Sequence, residues 1–421
     1  MQKLLSVMHY LRSICLGISA LLLRTALAAP MPQYYPVVGE IVHTAPSQTD
    51  GGIVIGGGGH KPRPHITLGH TANGHVILAP VTNSNHADLG HFMPTGGMGG
   101  LRGNILHNHV TADPNDPNDP NKIQRGHGRF GGVNVGQGNL LAIDQAHTHH
   151  RAAVAHEQAA HNHATESRAH LATAHDHTLK NNHQMAFTHR QQASVHQQHA
   201  AAHTQAAAQH RLASQVAHPF NTQNHQNAQT SLAHASAANA HFDAARAHRV
   251  AGQAHISTGH AHTWHGNHVA AADHHNEATF HHQQHAPHVQ QASRHSPLNA
   301  VRPHTHQSSV NAHGSHNSAN DSRDHALAGH AHLNAAQAHG SAGRSHATTA
   351  ARATHPQTAY NHRVDANQHA HAARTHRASA AAHAPSMPNK PNAAASRHAA
   401  TTSHDGANAS KALVPQNLRR Q

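Results

Sequence analysis

Cysteine is almost absent. The single Cys15 excludes an internal disulfide and any cysteine-ligated metal centre. Aromatic residues are nearly as scarce, with one Trp, four Tyr and six Phe in 421 residues. That is too few for base-stacking platforms, and the Arg residues are scattered, so no specific nucleic-acid partner is expected. Large apolar side chains are short as well: Leu, Ile, Val and Phe number 61, and eight of the leucines fall in the first 27 residues. The nominal 37% hydrophobic content is therefore mostly alanine, which adds little burial per residue. Chains with this composition normally cannot offset the entropy of ordering a compact core. The expected fold class is a mostly disordered, low-complexity chain with long Ala/His/Gln-rich α-helical heptad-repeat segments and no conventional globular core.

What is abundant is histidine, 60 residues in all, alongside 29 Lys and Arg against 17 Asp and Glu for a net charge of +12. The N-terminus reads as a secretory signal over residues 1–28. Lys3 and Arg12 supply the charged end, Ser13 to Leu23 is apolar, and Ala26-Leu27-Ala28 offers the small residues a signal peptidase needs. Eleven apolar residues are too few for a membrane span, so a secreted, periplasmic or cell-surface chain is expected, without a transmembrane segment once the signal is removed.

Residues 29–144 are rich in Gly, Pro, Asn and His, with short β-branched runs at Ile53-Val54-Ile55, Val76-Ile77-Leu78 and Val133-Asn134-Val135. Asp-Pro-Asn repeats at 113–121 read as a stiff linker. Whether this segment is a small β-element or a spacer stays open. Residues 145–384 form a His/Ala-rich heptad region, and the tail at 385–421 reads as disordered.

Internal periodicity is the strongest signal. Histidine recurs every seventh residue in runs at 149–177, 234–262, 325–346 and 355–383. Within the heptad region 25 histidine pairs are separated by seven residues, against about nine for random placement at that density. Seven residues make nearly two helical turns, so each run forms one stripe. Alanines follow three and four residues later, as at Ala237-Ala238 and Ala244-Ala245. A small face beside an imidazole face permits an Ala-lined coiled coil or helical hairpin. Against this stand the missing Leu and Ile at core positions, the helix-weakening Gly252, Gly259 and Gly266, and the prolines that divide the region. Helices are expected at 145–217, 225–285 and 325–384.

Catalytic motifs fail on context. Gly126, Gly128 and Gly131 have the spacing of a dinucleotide loop, but follow a linker and lead into more glycine. Gly56 to Lys61 lacks the geometry of a phosphate loop, and His156-Glu157 lacks its second zinc-protease histidine. No catalytic residue or enzymatic activity is expected.

Imidazoles offer two properties. Neutral histidine binds Zn²⁺, Cu²⁺ and Ni²⁺, and two rings at i,i+3 or i,i+4 can share an ion. Successive stripe members lie about 10 Å apart along a helix, so the candidate ligands are the sets with intervening histidines. These are His196, His199 and His203; His262, His265 and His268; and His281, His285 and His288, with Pro287 threatening to end the last helix early. No carboxylate is expected to complete a tight site. The second property is charge that rises as pH falls toward 5, suiting contact with polyanions or anionic surfaces in acid and weakening association through the stripe.

In composition the chain resembles the histidine-rich proteins that malaria parasites export, a resemblance that implies haem and metal binding. It carries no residue over, because that family's tandem Ala-His-His units are absent and adjacent histidines occur only at 149/150, 274/275 and 281/282. The expected function is sequestration, storage or buffering of divalent metal through many weak imidazole sites, with no obligatory cofactor. The alternative is a structural or adhesive surface protein whose heptads self-associate in a pH-dependent manner.

Overall fold

A computed structural model describes residues 134–414, apart from 217 and 300–302, together with strand and turn segments between 36 and 125. The signal segment, the Ile53–Ile55 run and the Asp-Pro-Asn linker lie outside the described residues. The chain divides into two compact units, Met1–His150 with His210–Gln226, and Arg151–Gln209 with Asn227–Gln421.

Among the described residues of the first unit, seven short strands pair antiparallel: β1 (Ile41–Thr44), β2 (Arg63–His70), β3 (Val76–Thr82), β4 (Phe92–Pro94), β5 (Asn104–Leu106), β6 (Val110–Ala112) and β7 (Ile123–Arg125). Their order is β4-β5-β3-β2-β1-β7, with β6 also on β3. Period-two alternation sorts their side chains. Ile41, Ile66, Val81, Met93 and Ile105 cluster with Ile143 and Ala146, while Val42, Val76, Leu78 and Ala112 form a separate cluster. Of the β-branched runs, Val76-Ile77-Leu78 lies in β3, and Asn134 makes an isolated bridge to Glu40.

Seven helices follow among the described residues: α1 (Gln137–Leu179), α2 (His183–Ser214), α3 (Thr222–Trp264), α4 (His268–Arg294), α5 (Thr305–Arg352), α6 (Pro356–Ala382) and α7 (Ala393–Leu413). The expectation of a mostly disordered chain without a core is overturned. These helices pack, and their core is built from alanine and histidine in place of leucine. Ala237, Ala238, Ala244, Ala245 and Ala251 are fully buried on α3, and Ala326, Ala328, Ala335 and Ala342 on α5. Methyl-sized faces let helix backbones approach closely, and uncharged imidazoles fill the space between them, so density is reached without large aliphatic residues.

The boundaries expected from composition also move. The 145–217 helix is broken at Lys180–Asn182, where Asn181 takes φ 57°, the left-handed conformation that asparagine tolerates at a helix C-terminus. Pro287 does not end α4, which continues to Arg294. Pro356 is the first residue of α6, where its missing N–H costs nothing. The stretch read as a disordered tail contains α7, begun by Asn392, whose side chain accepts from the Ala395 N–H.

Candidate metal centres on the histidine seams

The stripes face each other. On α3 and α4, His234, His241, His248 and His255 meet His295, His288, His281 and His274, Nδ1 to Nδ1, at 3.1, 3.0, 2.8 and 2.8 Å. Residue numbers rise by seven on one helix and fall by seven on the other, as antiparallel packing requires. The α5–α6 seam repeats this with His325–His383, His332–His376, His339–His369 and His346–His362 at 2.8–3.1 Å. On α1 and α2 the second unit holds His156–His203, His163–His196 and His170–His189 at 2.8, 3.0 and 3.1 Å. In the first unit His149 meets His210 at 2.8 Å. An N–H and a bare nitrogen must face each other in every rung, so each pair holds one ring of each tautomer.

A third helix closes each of the two later seams through a serine row. On α5, Ser308 hydrogen-bonds the Nε2 atoms of His241 and His295 at 2.8 and 2.8 Å, and Ser315 those of His248 and His288 at 2.8 and 2.7 Å. On α7, Ser396, Ser403 and Ser410 bridge the α5–α6 rungs in the same way. These serines also recur every seventh residue.

Burial keeps the rungs neutral. Desolvation first, then repulsion from neighbouring imidazoles, lowers His241 and His383 to about 4 and His274 to about 3. His163 falls lowest, to about 2, for the same two reasons in the same order. The expectation that the stripe charges as pH falls toward 5 therefore fails for its most buried members.

Among the described residues, two groups of three gather where a carboxylate reaches a seam. At one end of the α5–α6 seam, Asp365 Oδ2 lies 3.3 Å from His346 Nδ1 and 4.0 Å from His362 Nδ1, and those two nitrogens are 2.9 Å apart. A tetrahedral zinc ion with bonds near 2.0–2.1 Å holds its ligand atoms about 3.3 Å apart. The observed spacings bracket that value. His346 Nε2 reaches Ser410 Oγ at 3.1 Å, a contact that would fix the ring's orientation toward an ion. In the other group, His255, His281 and Glu277 offer ligand atoms all within 4.8 Å of one another. Glu277 Oε1 is 3.6 Å from His281 Nε2. Both rings hold a further histidine through Nδ1, at 2.8 Å. Desolvation lowers the pKa of His255, to about 3, and that of His281 and His346, which keeps the rings uncharged, the state a metal ligand needs.

The sequence-derived triples are distributed differently. His196 and His203 each bond a different histidine of α1, and His199 stacks on His163 with ring centroids 5.1 Å apart. His262 stacks on His274 at 5.3 Å, His265 lies in the turn after α3, and His268 opens α4, with Gly266 at φ 76° between them. His281 and His288 are rungs, whereas His285 Nε2 lies 3.8 Å from Glu166 Oε2. Of these nine, only His281 belongs to one of the converging groups found among the described residues. The carboxylates were missed. Their signal was local, since Glu277 precedes His281 by four and Asp365 follows His362 by three, spacings that share a helix face.

Among the described residues no helix is long and apolar enough to cross a membrane. Compared with protein-family models, curated proteins and solved structures, the chain matches none.

Proposed function

We propose that this is an exported, non-catalytic protein that sequesters divalent transition metal, zinc above all, at two mixed histidine–carboxylate sites carried on its helical seams. The supporting observation is the convergence of His346, His362 and Asp365, with donor atoms 2.9–4.0 Å apart. Two neutral imidazoles and one carboxylate form a borderline donor set suited to zinc. The imidazoles along the seams are engaged with one another, so tight metal uptake concentrates at the two carboxylate sites. Self-association through the heptads is not part of this reading, because the stripes are consumed by pairing within the chain.

Calorimetric titration of the metal-free chain with Zn²⁺ tests the proposal. Two ions bound more tightly than the rest are expected. A single shallow isotherm with many equivalent sites would instead favour diffuse buffering.

A further inference from the structure

The helix pairs α1–α2, α3–α4 and α5–α6 are register copies of one another. In the first pair the rungs His163–His196 and His170–His189 span 33 and 19 residues of chain. In the second, His248–His281 and His255–His274 span the same 33 and 19. The third pair has a turn shorter by three, so its rungs His339–His369 and His346–His362 span 30 and 16. Each residue of α2 thus has a counterpart in α4 and another in α6.

Beside the last rung the copies diverge. Gln192 of α2 stands where α4 has Glu277 and α6 has Asp365, and Thr188 stands where they have Asp273 and Asn361. Val195 takes the place of Phe280. The Phe280 ring packs against imidazoles of its own pair, with centroids 5.5 Å from His281 and 6.4 Å from His248. From the same position the first pair offers His196, the counterpart of His281, only a valine.

A cavity of about 650 Å³ opens there, inside the range of about 300–1,000 Å³ usual for small-molecule sites. Thr188, Gln191, Gln192 and Val195 form one wall, at the i, i+3, i+4 and i+7 spacing of a single helix face. Pro287, Val289 and Gln290 of α4 stand on the other. Pro287 removes a hydrogen bond from the interior of its helix, and its rigid ring is part of the apolar wall. His170, His196 and His285 also line the cavity. His196 and Val289 are buried at its base, whereas Gln191, Gln192, Val195 and Gln290 are exposed at its mouth. Two helix faces, each about 10 Å long, make this a slot suited to a flat molecule.

Among the described residues that line the slot, none is Lys, Arg, Asp or Glu. Glu166, 3.8 Å from His285, is already met by Arg249 at 3.7 Å. The imidazoles are uncharged as well. Desolvation first, then repulsion from His170, His199 and His285, lowers His196 to about 4, and desolvation leads in lowering His170 and His285. A charged ligand would give up its hydration here without a counter-charge. Amides and neutral imidazoles can both donate to and accept from a hydroxyl or ring N–H.

We propose that this slot binds an uncharged aromatic molecule carrying a hydroxyl or ring N–H, which lies against His196 as the Phe280 ring lies against His281. The slot shares no residue with the two metal groups.

The probe is 2-naphthol, with 2-naphthoate and 2-naphthylmethylammonium as its anionic and cationic counterparts. Each is titrated calorimetrically into the full chain at pH 7.5 with chelator present, so the result is independent of zinc. One naphthol per chain is expected, bound at least tenfold more tightly than either ion. Val195→Phe should fill the slot as Phe280 fills its counterpart and weaken naphthol at least tenfold. Gln192→Glu should supply the charge that α4 and α6 carry and bring the ammonium probe ahead of naphthol. Both positions are exposed, so far-ultraviolet circular dichroism should match the parent. If Val195→Phe lost helix, Gln192→Glu alone would decide. No naphthol binding, equal affinity for the three probes, or parent-like preference in Gln192→Glu would overturn the proposal, as would parent-like naphthol affinity in a folded Val195→Phe chain.

Discussion

His163 meets His196 Nδ1 to Nδ1 at 3.0 Å, yet its Nε2, equally buried, reaches no hydrogen-bond partner. The corresponding nitrogens of His241, His248 and His255 on α3 and of His332, His339 and His346 on α5 each reach a serine. In the first seam that row is interrupted, with Ser231 followed at heptad spacing by Ala238 and Ala245. A buried polar nitrogen left unpaired costs about 1–3 kcal/mol.

Ala238→Ser should return a hydroxyl to the row. The gain from one hydrogen bond, reduced by the lower helix propensity of serine, comes to about 0.5–1 kcal/mol. Urea unfolding should show a higher midpoint at unchanged slope. A lower midpoint would mean that the site is too tightly packed for the added oxygen.

Removing one carboxylate should remove one tight metal ion. Asp365→Asn leaves His346 and His362 without their anionic partner, and Glu277→Gln does the same for His255 and His281. Zinc stoichiometry in calorimetry should drop from two tight ions to one in either variant, and to none in the double variant. Far-ultraviolet circular dichroism should not change, since both carboxylates are partly exposed at the edges of their seams.

Acid should melt the helices. His241 and His383 are lowered to about 4 by desolvation and then by neighbouring charges. The unfolded chain takes up its protons near pH 6.5, so between 6.5 and 4 it binds more protons than the folded one. The stability carried by these neutral rungs is complete above pH 6.5 and is lost as pH falls toward 4. Melting temperature followed by helicity should be flat from pH 8 to 7 and decline steeply below 6. A protein equally stable at pH 4.5 and 7.5 would contradict the neutral seam.

Two glycines that look alike in sequence should respond differently. A Cβ on Gly252 would meet Ala278 O and His281 Cβ at 3.5 Å, ordinary contact. Gly252→Ala should therefore stabilise by about 0.5–1 kcal/mol through helix propensity. On Gly343 the new Cβ would stand 3.3 Å from His369 Cβ and 3.4 Å from Ala366 O, so Gly343→Ala should gain nothing or lose stability. Paired thermal melts would check the contrast.

The repeat was plain in the text, because a seven-residue period needs only counting. What counting could not supply was the partner. A stripe on one helix leaves its members about 10 Å apart, which directed attention to the intervening His199, His265 and His285. Antiparallel pairing instead places His163 against His196 and His248 against His281 at hydrogen-bond distance. The serine rows were equally periodic at 308, 315, 322 and 396, 403, 410, but serine carries little meaning until a histidine nitrogen is seen to point at it. The scarcity of leucine misled for a physical reason. Rules for core formation weigh aliphatic area, whereas this core is closed by methyl groups and neutral ring pairs.

Taken alone, the amino-acid order set the period, the small faces, the scarcity of thiol and the abundance of imidazole. Those are properties of residue type and spacing. Which imidazoles meet, which lose their charge and where a carboxylate joins them were decided only by helices packing against one another. Proton affinity and ligand geometry depend on neighbours within a few ångströms, and those neighbours come from other helices far along the chain, as Glu166 does for His285.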